Sequence, residues 1–146
     1  MNADVDRNAV HSAYVPLRIV FGLVPILAGL DKFANVLADW KTYIAPWAAQ
    51  HLPMSPTVFL GVVGVVEIAV GVLVWTRFVR VGAYAAAAWL GLVAINLLMA
   101  GFRDVAVRDL VLAVAAFVLA HLAEAESIAR SERAPSTSRG TQAIRG

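Results

Sequence analysis

Ionisable residues lie inside three of the four long apolar stretches of this 146-residue chain. Glu67 lies near the middle of the second stretch, and Lys32 and Asp109 lie about one helical turn inside the outer ends of the first and the last. Arg18 lies about one turn inside the opposite end of the first stretch. A charge at the centre of a bilayer costs roughly 2.5–3.5 kcal/mol on insertion scales, so such residues face protein or trapped water and find a partner. We therefore predict a polar interior, in which Glu67 is the candidate for exchanging a proton.

These charged residues share a helical face with small residues. Spacings of four and three alternate along each stretch, and at about 100° per residue they fall on one stripe of a helix. Small residues allow helix backbones to approach closely, which shields an ion pair from lipid. The stripes are Arg18, Gly22, Pro25, Gly29 and Lys32; Leu60, Gly64, Glu67, Gly71 and Val74; and Ala106, Asp109, Ala113, Ala116 and Ala120.

The composition predicts an all-α membrane protein. Apolar residues make up 60% of the chain, against roughly 45–50% in ordinary soluble domains. Each apolar stretch is long enough to cross a hydrocarbon core, and no alternation typical of a barrel strand occurs. We predict an antiparallel transmembrane four-helix bundle in residues 1–123. The tail, residues 124–146, is expected to stay helical for a turn or two, to be cytoplasmic and to be largely disordered. The predicted spans are residues 14–36, 57–75, 79–100 and 105–122.

Residue counts exclude several chemistries. Cysteine is absent, which excludes disulfides, thiol relays and thiolate metal sites within this chain. The histidines, His11, His51 and His121, are too scattered for a bis-histidine haem or a zinc site, so no metal is expected. Twelve basic residues against ten acidic ones leave a net charge of only +2 without a dense basic patch, so nucleic acid is not expected as a partner. The expected partner is the lipid bilayer.

The distribution of basic residues predicts the orientation. Four spans place both termini on one side of the membrane, and that side carries eight Lys and Arg residues against four on the other. Without Arg18, Lys32 and Arg108, which lie in or at the spans, the count is seven against two. Because positive charge marks the cytoplasmic side, both termini are predicted to be cytoplasmic.

The connection between the first two spans, residues 37–56, is long and aromatic. Trp40, Tyr43 and Trp47 fall on one helical face, and Pro46 limits how far that helix runs. One interpretation is an amphipathic segment in the outer interface of the bilayer, where Trp and Tyr are enriched. The alternative is a lid over a cavity between the helices.

Depth and side-chain length predict which charges meet. Lys32 from the outer side or Arg18 from the opposite side reaches Glu67, because both side chains are long. Asp109 is the best-placed partner for Lys32. Arg108 is rotated by about 100° from Asp109, so it is expected to point to the interface.

The third stretch contributes two polar residues on a matching stripe. Trp89, near its middle, is predicted to fill the core, and Asn96 is predicted to form a hydrogen bond between helices. The stripe consists of Gly82, Ala86, Trp89, Val93 and Asn96.

Two interpretations of the charged residues stay open at the level of sequence. In the structural one, Arg18, Lys32, Glu67 and Asp109 neutralise one another and fix helix order and register. In the functional one, they surround a site that takes a polar head group or passes protons, as intramembrane ionisable residues commonly do.

Short motifs in the first, second and fourth spans resemble one family. Leu17-Arg18 through Gly22, Ala28-Gly29-Leu30 and Asp31-Lys32-Phe33 resemble the opening signature of the DoxX family of small four-helix membrane proteins. Val66-Glu67-Ile68 followed by Gly71 resembles its second-span motif, and Arg108-Asp109-Leu110 resembles its fourth-span start. The resemblance covers roughly residues 14–122. The residues that it carries over are Arg18, Gly22, Gly29, Lys32, Glu67, Gly71, Arg108 and Asp109.

The resemblance implies a bacterial-type inner-membrane protein linked to quinone-dependent oxidoreductases or redox-stress assemblies. On that basis we expect a membrane subunit that works with a soluble oxidoreductase partner, with quinone as the possible ligand. The chain shows no electron carrier and no catalytic motif of its own. The alternative is a non-catalytic membrane scaffold, or a small carrier that uses the same charged cavity.

Overall fold

The computed structural model describes residues 3–133, and their side chains from residue 8 to residue 131. This part of the chain contains five α-helices, one short 3-10 helix and no strand, so the all-α prediction is confirmed. The helices are α1 (Ala3–Ala34), α2 (Pro46–His51), α3 (Pro56–Trp75), α4 (Val79–Ala100) and α5 (Arg103–Arg133), and the 3-10 helix is Trp40–Tyr43.

Four of these helices are long and apolar enough to cross a membrane. Large apolar side chains cover their outer faces; Val62, Val111 and Val114, for example, are between 51% and 65% exposed. A soluble monomer rarely exposes apolar surface on this scale, because water would have to solvate it. The protein is therefore compatible with a multi-pass membrane protein. The candidate spans are Asn8–Ala34, Pro56–Trp75, Val79–Ala100 and Arg103–Ser131.

Local signals explain where the long helices begin and end. Ser55 accepts a hydrogen bond from the backbone N–H of Val58 and is followed by Pro56, so α3 begins at a capped position. Asn35 (φ 52°) and Gly101 (φ 90°) adopt the left-handed conformation directly after α1 and α4. Such residues end a helix by turning the chain away from its axis.

The helices pack through small residues. A Cβ on Gly29 would lie 2.5 Å from the carbonyl oxygen of Gly64, and a Cβ on Gly71 would lie 2.5 Å from that of Gly22. Helices α1 and α3 therefore touch backbone to backbone at two places. Alanines, with Leu119, fill much of the contact between α4 and α5 and are almost fully buried: Ala83, Ala86, Ala94, Ala106, Ala116 and Ala120.

The described part of the chain differs from the sequence predictions in two segments. Helix α5 continues through Arg133, slightly further than the turn or two of helix expected after residue 124. Good helix formers such as Glu, Ala and Arg dominate that extension, which explains its helicity. The aromatic connection is not one helix limited by Pro46; it is a 3-10 turn followed by α2, in which Pro46 is the first residue. The part of the tail beyond residue 133, for which disorder is predicted, lies outside the described residues.

Candidate functional site

A buried ion pair joins α1 and α3. The Nζ atom of Lys32 donates a hydrogen bond to Oε2 of Glu67 over 2.6 Å. The two side chains are only 5% and 12% exposed. Of the two cations expected to reach Glu67, Lys32 is thus the one that does, and the charge on each is compensated where lipid or protein excludes most water.

The glycine contact lies directly beside this ion pair. A Cβ on Gly29 would lie 3.2 Å from Cβ of Glu67, and a Cβ on Gly64 would lie 3.4 Å from Cβ of Lys32. Because neither glycine has a side chain, the backbones of α1 and α3 come close enough for the short Glu67 side chain to reach the ammonium group. The small-residue stripes predicted from sequence therefore determine the geometry of the pair.

The aromatic connection covers the ion pair from the end of the bundle at which α1 ends and α3 begins. The ring of Trp40 lies over Lys32, with 3.8 Å between Nζ and the ring centroid. The indole N–H of Trp40 donates to Oδ2 of Asp31 over 2.7 Å. Oδ1 of Asp31 also accepts the backbone N–H groups of Val36 and Leu37, at 2.9 and 3.0 Å. Asp31 thus fixes the start of the connection so that Trp40 stacks on the lysine by a cation–π contact.

Asp31 is a site residue that the stripe analysis missed. It is buried, at 6% exposed, yet it lies one position from Lys32 and therefore off the stripe by about 100°. Its place in the Asp31-Lys32 dipeptide at the end of an apolar stretch was the available signal. Its carboxylate bonds to residues beyond the helix, which a helical periodicity does not reveal.

Trp89 of α4 reaches the same site with an unsatisfied donor. Its indole N–H lies close enough to the Glu67 carboxylate to act on it, but it forms no hydrogen bond of good geometry with any described acceptor. A buried N–H without an acceptor costs free energy, so such groups are uncommon in folded proteins. Trp89 is therefore more than core filling: it directs a donor at the carboxylate side of the ion pair.

Asp109 is not the partner of Lys32, which corrects the sequence prediction. Within the described residues its carboxylate forms no ion pair, and Lys32 pairs with Glu67 instead. Arg108 and Lys32 are near enough to act on Asp109 electrostatically. The close contact of α1 with α3 explains the choice, because it brings Glu67 nearer to the lysine. Arg108 is exposed, as predicted.

Arg18 does not reach Glu67 either. Its guanidinium donates to the carbonyl oxygens of Val74, Trp75 and Thr76, at 3.0–3.1 Å, and to the hydroxyl of Tyr14. The last carbonyls of a helix lack partners within the helix and carry partial negative charge, so a cation stabilises them. Arg18 therefore caps α3.

Asn96 forms its hydrogen bonds with the backbone of the connection between α1 and α3, and not with a neighbouring long helix. Its Oδ1 accepts the backbone N–H of Ala45 at 3.0 Å, and its Nδ2 donates to the carbonyl of Tyr43 at 2.6 Å. The predicted hydrogen bond exists, but its partner is the backbone between the 3-10 turn and α2. Asn96 thus holds the aromatic cover against α4, while Tyr43 packs on Phe102 with 4.8 Å between ring centroids.

An ammonium group, a carboxylate and two indole rings meet at this site. Among the described residues no group of His, Asp and Glu side chains is arranged to hold a metal ion. No family model, curated protein or solved structure matches the chain. The geometry and the chemistry of the site's own residues therefore carry the functional argument.

Proposed function

We propose that this chain is a multi-pass membrane protein whose Lys32–Glu67 site binds the polar head group of a quinone and exchanges a proton through Glu67. In this role it is the membrane subunit of a quinone-linked oxidoreductase or redox-stress assembly. The observation that carries the proposal is the unsatisfied indole N–H of Trp89 beside a buried carboxylate. A ligand oxygen placed there gives this donor an acceptor.

The site carries hydrogen-bond donors of the kind that a quinone head group needs. A quinone presents two carbonyl oxygens, which need hydrogen-bond donors. Lys32 has further N–H protons beyond the one given to Glu67, and Trp89 supplies its indole N–H. When bound, a quinone supplies two-electron chemistry coupled to protons. The residues of this chain hold and orient the head group, and Glu67 takes or gives a proton at its carboxylate.

We also propose the topology and the family that the sequence suggested: an antiparallel bundle of the DoxX type, with both termini cytoplasmic, in a bacterial inner membrane. The order of the glycine contacts supports the antiparallel arrangement, since Gly22 meets Gly71 and Gly29 meets Gly64. The excess of basic residues on the side of the termini supports the orientation. A soluble oxidoreductase subunit is the expected partner, because the sequence contains no motif for binding an electron carrier.

Equilibrium binding of a quinone analogue to the protein purified in a mild nonionic detergent tests this function. Trp89→Phe removes a donor to the head group, and Glu67→Gln removes the carboxylate that orients the Lys32 ammonium group, so each is expected to weaken binding by roughly 10-fold or more. Asp104→Asn, at an exposed acidic residue, is the matched control and is expected to bind like the parent. Trp89→Phe leaves the ion pair intact, which separates ligand binding from assembly.

Binding that is absent, or unchanged in both site variants, rejects the quinone function. One observation then favours a scaffold or small carrier: the ion pair lies against the Gly29–Gly64 contact, so it can serve to fix the α1–α3 register. That candidate predicts that Glu67→Gln lowers stability and assembly while no quinone binds to the parent protein.

A further inference from the structure

A second candidate site lies at the opposite end of the bundle from the Lys32–Glu67 pair. A cavity of about 310 Å³ opens where α1, the turn between α3 and α4, and α5 meet. Four arginines line it, and among the described lining residues Glu126 is the acidic one. The arginines come from three separate parts of the chain: Arg18 from α1, Arg77 and Arg80 from the turn and the start of α4, and Arg130 from α5.

Two polar side chains that line this cavity, Arg18 and Tyr14, are held in place by hydrogen bonds. Arg18 is held in place by three carbonyl oxygens at the end of α3. The hydroxyl of Tyr14, which is 4% exposed, accepts a hydrogen bond from Arg18, so it keeps its own proton to donate. A fixed cation and a fixed O–H donor therefore face the cavity together.

The walls are only partly neutralised. Arg80 lies 3.2 Å from Oε1 of Glu124, and Arg130 lies 4.0 Å from Oε2 of Glu126. Glu126 also contacts His11. The guanidinium of Arg77 lies over the ring of Phe78, a contact that leaves its charge in place. Positive charge therefore remains in excess around the cavity.

We propose that this cavity binds a phosphate group, carried by an anionic phospholipid head group or by a soluble phosphate anion. Guanidinium groups match the geometry of phosphate oxygens and bind them in pairs of hydrogen bonds. Basic cavities between membrane helices on the cytoplasmic side recognise anionic head groups. The volume lies within the usual range for small-ligand sites. This site is independent of the proposed quinone function and uses none of its residues.

Native mass spectrometry of the detergent-purified full chain, titrated with phosphatidylglycerol or with neutral phosphatidylcholine, tests the proposal. The parent protein is expected to retain phosphatidylglycerol in preference to phosphatidylcholine. Arg77→Gln combined with Arg130→Gln is expected to weaken that binding roughly 30-fold, because each arginine near an anionic head group contributes about fivefold. Both residues are exposed, and Arg18 stays in place, so the variant is expected to fold. Arg80→Gln is a second variant that weakens binding to a smaller extent.

The matched control removes the same charge from the other end of the bundle. Lys41→Gln combined with Arg103→Gln, both exposed, is expected to change binding by no more than about twofold. Equal weakening by the two double variants, or weakening by neither, overturns the proposal. Inorganic phosphate is then added to the lipid-bound protein, with chloride at equal ionic strength as the control, to separate a lipid head group from a soluble phosphate anion as the ligand. Displacement of the lipid by phosphate identifies the phosphate group itself as the ligand, and retention of the lipid identifies the lipid head group.

Discussion

Lys32 and Glu67 are 35 residues apart in the chain, and their charged atoms meet at 2.6 Å between α1 and α3. The contact depends on two features that meet at this point. The glycines Gly29 and Gly64 bring the helix backbones together, and Trp40 covers the lysine from outside. The ion pair is thus held by the packing on one side and by the connection on the other.

The ion pair is expected to behave as a coupled unit. Lys32→Met or Glu67→Leu alone leaves one buried charge without its partner, and we expect each to lower the free energy of unfolding by roughly 3–5 kcal/mol. The double variant removes both charges, and its loss in the free energy of unfolding is expected to be much smaller than the sum of the losses in the two single variants. Unfolding by added denaturing detergent gives the free energy of the purified parent, of each single variant and of the double variant, which together form a double-mutant cycle. Additive losses would show that the two residues do not interact.

The Gly29–Gly64 contact is expected to tolerate no side chain. In Gly29→Ala the new Cβ would lie 2.5 Å from the carbonyl oxygen of Gly64, so the helices must separate, at a cost of about 1–3 kcal/mol. The melting temperature in detergent reports this loss. Gly91→Ala is the control, because a Cβ there would meet nothing within 4 Å. A melting temperature that falls equally in the two variants contradicts the packing argument.

Arg18 is expected to stabilise the end of α3. Arg18→Met removes the donors to three backbone carbonyls, and the loss is expected to be about 1–3 kcal/mol because these groups lose their partners. Arg18→Lys is expected to recover part of it, since an ammonium group keeps the charge but not the planar fork. Arg103→Met at an exposed residue serves as the control in the same unfolding measurement. No difference between Arg18→Met and this control would refute the capping role.

Asp31 is expected to order the start of the connection. In Asp31→Ala the backbone N–H groups of Val36 and Leu37 lose their acceptor, so their hydrogen exchange is expected to speed up by about 10-fold or more. Asp39→Ala removes a longer bond of 3.3 Å to the N–H of Lys41 at an exposed place. It is expected to leave the exchange of Val36 and Leu37 unchanged. If hydrogen exchange at these two amides is unchanged in Asp31→Ala, Asp31 does not hold the start of the connection in place.

Much of the fold could be predicted from the sequence because lipid imposes a simple rule on long helices. A span must be apolar, and its charges must turn inward, so the residue pattern reveals both the spans and their inner faces. Gly22, Gly29, Gly64 and Gly71 were all identified from their spacing. The burial of these glycines confirms the stripes.

Periodicity within one helix assigned the inner charged residues, but it could not decide which of them pair. Lys32 bonds to Glu67 and not to Asp109 because the two glycine contacts draw α1 and α3 together, and that distance depends on both helices at once. Arg18 likewise turns to the free carbonyls of α3, which no sequence pattern displays. The roles of Asp31, Trp40 and Asn96 depend on a connection that joins a 3-10 turn and a short helix through irregular segments. The sequence by itself therefore determined most of the residues that face inward, through their cost in lipid, and only the tertiary structure decided their partners, through the distances between helices.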